Sequence, residues 1–322
     1  MKDEPAMMQS PFIPQTSSFS LWSHRLALVL ACATFPLLFI GGLVTSLGVG
    51  LSVPDWPTTF GYNMFLYPWS KMIGGIFYEH SHRLVASTVG LITIALAWTL
   101  WFSENRQWLR WLGVAALGLV IAQGVLGGLR VVLLQHTLAI IHACFAQAFF
   151  ALTVSLALFT SAEWRDPLVE GPIADQGRLR RLATITTALI YLQVVFGAVL
   201  RHTGERIDAH LTIAALITMH VVLLFLRIKR AQPGHAKLVR PANYLILLLL
   251  FQFVLGAAAY FSKFSDMLLW PFAAIVLVTT THLITGALML VTSLVIALRA
   301  YRLTSKAPAA LEGKVLTEQY SV

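Results

Sequence analysis

The stretch EHSHRLVASTVGLITIALAWTLWF, residues 79–102, decides the fold class of this chain. It opens on Glu79, His80, His82 and Arg83 and then runs apolar to Phe102. About 20 apolar residues are needed to cross a bilayer, and the segment from His82 onward supplies them. A polar head on a bilayer-length run predicts a spanning helix that begins beside chemistry. Three later apolar segments repeat the arrangement, each with one histidine near its start: His142, His210 and His282.

Working outward, 57% of the residues are hydrophobic and 11% charged, with a mean hydropathy of +0.75. Soluble domains carry about 25% charged residues, so the chain reads as an integral membrane protein. The net charge of +9 does not indicate nucleic acid, because the basic residues sit mostly in short connections between apolar runs, where they set membrane orientation. Cys32 and Cys144 both fall inside apolar runs, which argues against a disulfide framework or a cysteine metal site. The first run, Leu26 to Thr45, has the length of a spanning helix rather than of a cleavable signal core. Asp3 and Glu4 are unlike an Arg-rich transit peptide.

Eight spans are expected, near 24–46, 82–102, 108–129, 137–160, 181–200, 207–226, 242–262 and 272–298. They place both termini on one side. Seventeen lysines and arginines, from Lys2 to Lys306 and Lys314, fall on that side against five on the other, so both termini are expected in the cytoplasm. The chain also reads as duplicated: Gln123-Gly124-Val125-Leu126-Gly127 echoes Gln252-Phe253-Val254-Leu255-Gly256, and Phe39-Ile40-Gly41-Gly42 resembles Val195-Phe196-Gly197-Ala198. The alternative is that such echoes are packing motifs of membrane helices. Residues 1–162 form an N-terminal four-helix half, 163–181 a cytoplasmic linker and 182–322 a C-terminal half. A four-helix bundle builds cofactor sites from facing side chains.

Each of the four histidines lies in the outer half of its span. His82 and His142 precede the first inner charge, Glu104 and Glu163, by 22 and 21 residues; His210 and His282 each precede theirs, Arg227 and Arg299, by 17. The pairs are therefore His82 with His142 and His210 with His282. Neutral imidazole is a common haem ligand, and the pairs predict one bis-histidine haem site in each half. His220, deeper in its span, is expected to be a hydrogen-bonded buried histidine, and His202 a supporting residue near the fifth span's end. Glu79, three positions before His82, is a candidate general base or electrostatic stabiliser; the alternative is a carboxylate at a helix N-terminus. The outer segment from Leu47 to Tyr78 carries Val53-Pro54-Asp55-Trp56-Pro57 and then Phe60, Tyr62, Phe65, Tyr67 and Trp69. These aromatics suit either an interfacial belt or a roof over the first site.

These residues resemble the haem A synthases of aerobic bacteria and mitochondria. The resemblance rests on Gly50-Leu51-Ser52-Val53-Pro54-Asp55-Trp56-Pro57, on Glu79-x-x-His82-Arg83, on Leu200-Arg201-His202-Thr203-Gly204, and on the placed His142, His210 and His282. It implies an all-α membrane fold of eight transmembrane helices in two pseudosymmetric four-helix bundles, in the bacterial cytoplasmic (inner) membrane, with the haem sites toward the outer face. It implies that His210 and His282 hold a permanent haem b as cofactor. His82 and His142 would hold the substrate, haem O, with Glu79 essential to chemistry. The implied reaction oxidises the C8 methyl group of haem O to a formyl group by successive hydroxylations, for cytochrome c oxidase assembly. Many bacterial members carry two cysteines in the first outer loop; here Val53 and Thr59 stand at about those places, so no loop disulfide is expected.

Haem propionates need cationic partners when buried, and Arg83, Arg130, Arg201 and Arg206 are the candidates on the outer side. The expected partners are the lipid bilayer, haem O, a haem O synthase and an electron acceptor, with no nucleic acid. The chief alternative is a b-type bis-histidine membrane cytochrome passing electrons to or from quinol. A transporter would show Gly/Pro-broken segments near midplane, and none stands out.

Overall fold

The computed structural model describes residues 18–165, 176–265 and 270–303. Lys2, Asp3, Glu4, Lys306, Lys314 and linker residues 166–175 lie outside these. Long helices dominate: α1 (Ser18–Ser46), α2 (Gly75–Ser103), α3 (Gln107–Leu133), α4 (His136–Thr160), then, after the short α5 (Ala162–Arg165), α6 (Gln176–Thr203), α7 (Ile207–Ala231), α8 (Ala236–Phe264) and α9 (Phe272–Leu303). Eight of these are long and apolar enough to cross a membrane, and among the described residues the only strand-like pairing is an isolated bridge between Thr59 and Tyr62. The all-helical, eight-span expectation holds.

Most helices run longer than their expected spans, and two of the extensions bear on the site or the linker. α2 begins at Gly75, a full two turns before the apolar run, after Gly74 with φ 56°, so Glu79 and His80 lie inside the helix rather than ahead of it. Hydropathy cannot see this start, because Glu79, His80 and Arg83 are polar side chains whose partners lie elsewhere in the chain. α6 begins at Gln176, so residues 176–181 of the expected linker are already helical.

In space α1 packs on α2, α2 on α3, α3 on α4, and α4 back on α1; α6, α7, α8 and α9 close on one another in the same cyclic order. The two rings meet where α1 and α4 pack against α9 and α4 against α6. Leu38, Phe150, Ile284, Ala287 and Val291 fill that seam. Within the rings, Leu30, Leu96, Leu100, Leu109 and Leu156 form one core and Leu179, Leu224, Ile228, Leu238, Leu245 and Ile296 the other. Both cores lie toward the helix ends remote from the four histidines. On the outside, Leu91, Trp98, Phe102, Leu247 and Val254 are each 60% exposed or more, an apolar surface suited to lipid rather than water. At the end remote from the histidines, Arg299 donates to both Glu163 carboxylate oxygens at 3.0 and 2.9 Å, which ties the start of the linker to α9.

Candidate functional site

His82 and His142 lie in the first ring, His210 and His282 in the second, and each ring rests on a glycine of the preceding helix. A methyl carbon built on Gly41 would lie 3.1 Å from His82 Cε1, on Gly127 3.3 Å from His142 Cε1, on Gly197 3.4 Å from His210 Cε1, and on Gly256 3.3 Å from His282 Cε1. All four Nδ1 atoms are buried without a hydrogen-bond partner. The His210 and His282 rings face each other with centroids 6.4 Å apart and planes at 58°. Gln252 Nε2 lies 3.4 Å from His282 Nε2, and Gln123 Nε2 donates to the His142 carbonyl at 3.1 Å. Among the described residues His220 bonds the Leu216 carbonyl of its own helix, at 2.9 Å, and is half-buried rather than buried.

Over the first ring the segment 47–74 is bolted to α2. The Glu79 carboxylate is 4% exposed; one oxygen accepts the Val53 N–H and the other accepts Arg83, both at 2.9 Å. Arg83 also donates to the carbonyls of Val53, Asp55 and Thr58, at 2.9, 2.7 and 3.1 Å. Beside them His80, buried to 1% exposure, bonds Thr59 Oγ1 at 3.1 Å and packs against Tyr67. The Trp56 ring lies on the backbone of Gly128, so closely that a side chain there would overlap it. Gly128 follows the Gly127 on which His142 rests, so the segment sits over the first pair. Tyr67 turns inward, whereas Phe65 and Trp69 are exposed; the aromatics divide between roof and belt.

The loop's own conformation hangs on Asp55. Its carboxylate accepts from the Thr58 hydroxyl, the Phe60 N–H and the Gly61 N–H at 2.5, 2.7 and 2.9 Å. These bonds support Phe60 and Gly61 in the left-handed region, φ 50° and 77°. Partial burial raises the Asp55 pKa, but the three donors outweigh it and hold the carboxyl below the usual carboxylate range.

Of the four arginines, Arg83 is committed to the loop and Glu79, and Arg206 is largely exposed beside Asp208 at 3.5 Å. Arg130 and Arg201 share a cavity of about 240 Å³ between the rings, with Gly48, Gly50, His136 and His202 in its lining. The charge of Arg130 reaches Glu79, His82 and His142, and that of Arg201 reaches His282. Arg201 also bonds the Gly42 carbonyl at 2.8 Å and Ser46 Oγ at 2.6 Å, joining the two rings.

The sequence reading gave no site role to His80 or Thr59 and did not pair Trp56 with Gly128. The glycines were visible in it only as repeat echoes, yet those echoes contain all four histidine rests. A helix-end cap is not the role of Glu79, since α2 starts a turn earlier and Gly74 caps it without a side chain.

The model of the cytochrome oxidase assembly protein family, COX15-CtaA, matches residues 24–207, which takes in Glu79, His82 and His142 and ends just before His210. A heme A synthase from Shouchella clausii (strain KSM-K16) is 25% identical over 295 residues, covering 83% of this chain and 96% of that protein.

Proposed function

Because the chain belongs to the cytochrome oxidase assembly protein family, we propose that it is a haem A synthase, an oxidoreductase that converts the C8 methyl group of haem O to a formyl group by successive hydroxylation. The observation that carries this reading is a half-buried histidine pair in each four-helix ring, every Nδ1 enclosed and unpartnered, with a loop clamped by Glu79 and Arg83 beside the first pair.

The donor set fits haem. Among the described residues no three His, Cys, Asp or Glu side chains gather to hold a bare metal ion, whereas a pair of imidazoles suits an iron whose other ligands come from its own macrocycle. The glycine rests leave room for rings at close approach, and the buried Nδ1 atoms of those rings have no hydrogen-bond partner. His82 and His142 hold the haem O substrate; His210 and His282 hold haem b. When bound, haem b supplies a one-electron route away from the substrate. Arg130 beside the first pair and Arg201 beside the second receive propionates through their planar forks. Arg83 is taken up by Glu79 and the loop carbonyls, and Arg206 is largely exposed at the start of α7, so neither takes that role.

Glu79 acts through the loop. Each of its oxygens accepts one hydrogen bond, from the Val53 N–H and from Arg83, which ties the carboxylate to the loop while a lone pair remains on each oxygen. It fixes residues 53–59 over the first pair, where they hold haem O in register and exclude water. The haem sites lie toward the outer face of the cytoplasmic membrane, with the termini inside.

The test is to co-express the chain with a haem O synthase and extract the haems. Haem A in the extract is expected; haem O and haem b alone would turn the reading into that of a plain b-type cytochrome.

A further inference from the structure

We infer that Gly41, Gly127, Gly197 and Gly256 are positioning residues that set the approach and plane of the four ligand imidazoles. The inference rests on the reading of those histidines as haem ligands.

The geometry repeats four times. In each case Cε1 is the ring atom nearest the glycine and Nδ1 the next, at 3.5, 3.7, 3.7 and 3.8 Å from the built carbon in chain order. Where Nε2 also comes within range, at Gly41 and Gly127, it is farther, at 3.8 and 3.9 Å. The same edge of every ring thus lies on a glycine, and Nε2 is the nitrogen turned away from it. The connections joining these hairpins are unlike one another: 47–74, 134–135, 204–206 and 265–271. A shared ring pose across unlike loops belongs to the helix pair, not to the turn. Glycine is a poor residue for a helix interior, and in membranes it is tolerated where another group must come close. Not every glycine here meets that description: Gly90, Gly118 and Gly124 have nothing within 4 Å of a built methyl.

The four rests are graded. Carbon contacts are ordinarily 3.5–4.0 Å, so alanine would push each ring by a few tenths of an ångström, most at Gly41 and least at Gly197. One turn before the glycine stand Gln123, Gln193 and Gln252, but Leu37 precedes Gly41. In two of these hairpins the amide touches the histidine of the same hairpin, its carbonyl at His142 and its ring at His282. His82 has no amide at that place, so its pose depends most on the glycine.

The test uses the full chain, loaded with haem in membranes, and alanine at each of the four positions, with Gly124→Ala as control on the same helix as Gly127. Haem content, the low-spin electron paramagnetic resonance signals and the rate of haem loss to an external acceptor are read together with helix content by circular dichroism. Groups that orient metal ligands typically change metal affinity 10–100-fold, and the variants are expected near the lower end, with about tenfold faster haem loss and altered low-spin signals at unchanged helix content. The change is confined to the ring carrying the substitution, and Gly41→Ala exceeds Gly197→Ala. Complete haem loss with helix content intact supports the same conclusion, since the fold then survives without a placed ligand. Four variants that match Gly124→Ala overturn it, as does haem loss accompanied by loss of helix, which would make the glycines packing residues. The underlying ligand reading fails separately: it falls if His210→Ala and His282→Ala keep the parent spectrum, whatever the glycine variants do.

Discussion

The two histidine pairs rest on the same glycine device and differ in what lies above them. The second pair lies on α7 and α9, α7 being joined to α6 by the short connection 204–206, and Gln252 lies against His282 Nε2. The first pair lies under 47–74, bolted down by Glu79, Arg83, His80 and Trp56. A cofactor that stays needs two ligands and little else. A molecule that enters, reacts and leaves needs a cover that can be set and released, and such covers are drawn from loops. The proposed function divides the two halves into a holding site and a turnover site.

The sharpest way to break that division is to remove the rings. His210→Ala or His282→Ala is expected to abolish the b-type spectrum of the purified protein. His82→Ala or His142→Ala is expected to leave that spectrum and abolish haem A in the co-expression extract. If all four substitutions erased the same signal to the same extent, the division would be wrong.

Next in size is Glu79→Gln. An amide has one acceptor atom where the carboxylate has two, so it must turn its NH2 toward either the Val53 N–H or Arg83. Loss of loop register of about 1 Å costs on the order of 10²-fold in rate, and haem A is expected to fall by that much, with haem O accumulating and the second haem unchanged. Hydrogen exchange at residues 53–59 is expected to rise in parallel. The same loss of haem A with full protection of the loop would instead return Glu79 to a proton-transfer role.

Much of this was legible in the chain. Eight spans follow from apolar length, because a bilayer admits few other solutions, and the histidine pairs follow from depth along a helix of fixed rise. The start of α2 was not legible: Glu79, His80 and Arg83 sit in the helix because Val53, Thr59 and the loop carbonyls partner them from more than twenty residues away. Gly41, Gly127, Gly197 and Gly256 were legible as a repeat but not as ring rests, since a glycine's purpose is set by what approaches it from another helix. Arg83 looked like an anion partner for the same reason; its fork faces carbonyls that no local pattern reveals.

A smaller effect is expected at the loop's other attachment. Gly128→Ala overlaps the Trp56 ring and should lift the loop at one point, giving about tenfold less haem A, below the roughly 10²-fold of a full misplacement. Trp56→Ala in the same chain removes the overlap, so the double variant should recover part of what Gly128→Ala loses. Equal yields from Gly128→Ala and the parent would show that Trp56 does not hold the loop against α3.

The smallest effect separates the halves by pH. Asp55 has its folded pKa depressed, chiefly against its own partial burial, by donors from Gly61, Thr58 and Phe60. A depressed carboxylate contributes stability above its unfolded pKa and loses it as pH falls through the folded one. The loop over the first pair should therefore loosen as pH drops below the ordinary carboxylate range, while the second ring, whose closing connections carry no comparable carboxylate among the described residues, keeps its haem spectrum. The side chain is partly exposed, so the change is modest and best read as exchange of the Phe60 and Gly61 amides, corrected for their intrinsic rates. Asp55→Asn keeps one acceptor but no charge, so it should exchange faster than the parent at neutral pH and lose the acid dependence. A variant with parent-like protection at neutral pH would show that the three bonds to Asp55 do not hold the turn, and the clamp over the turnover site would then rest on Arg83 and Glu79 alone.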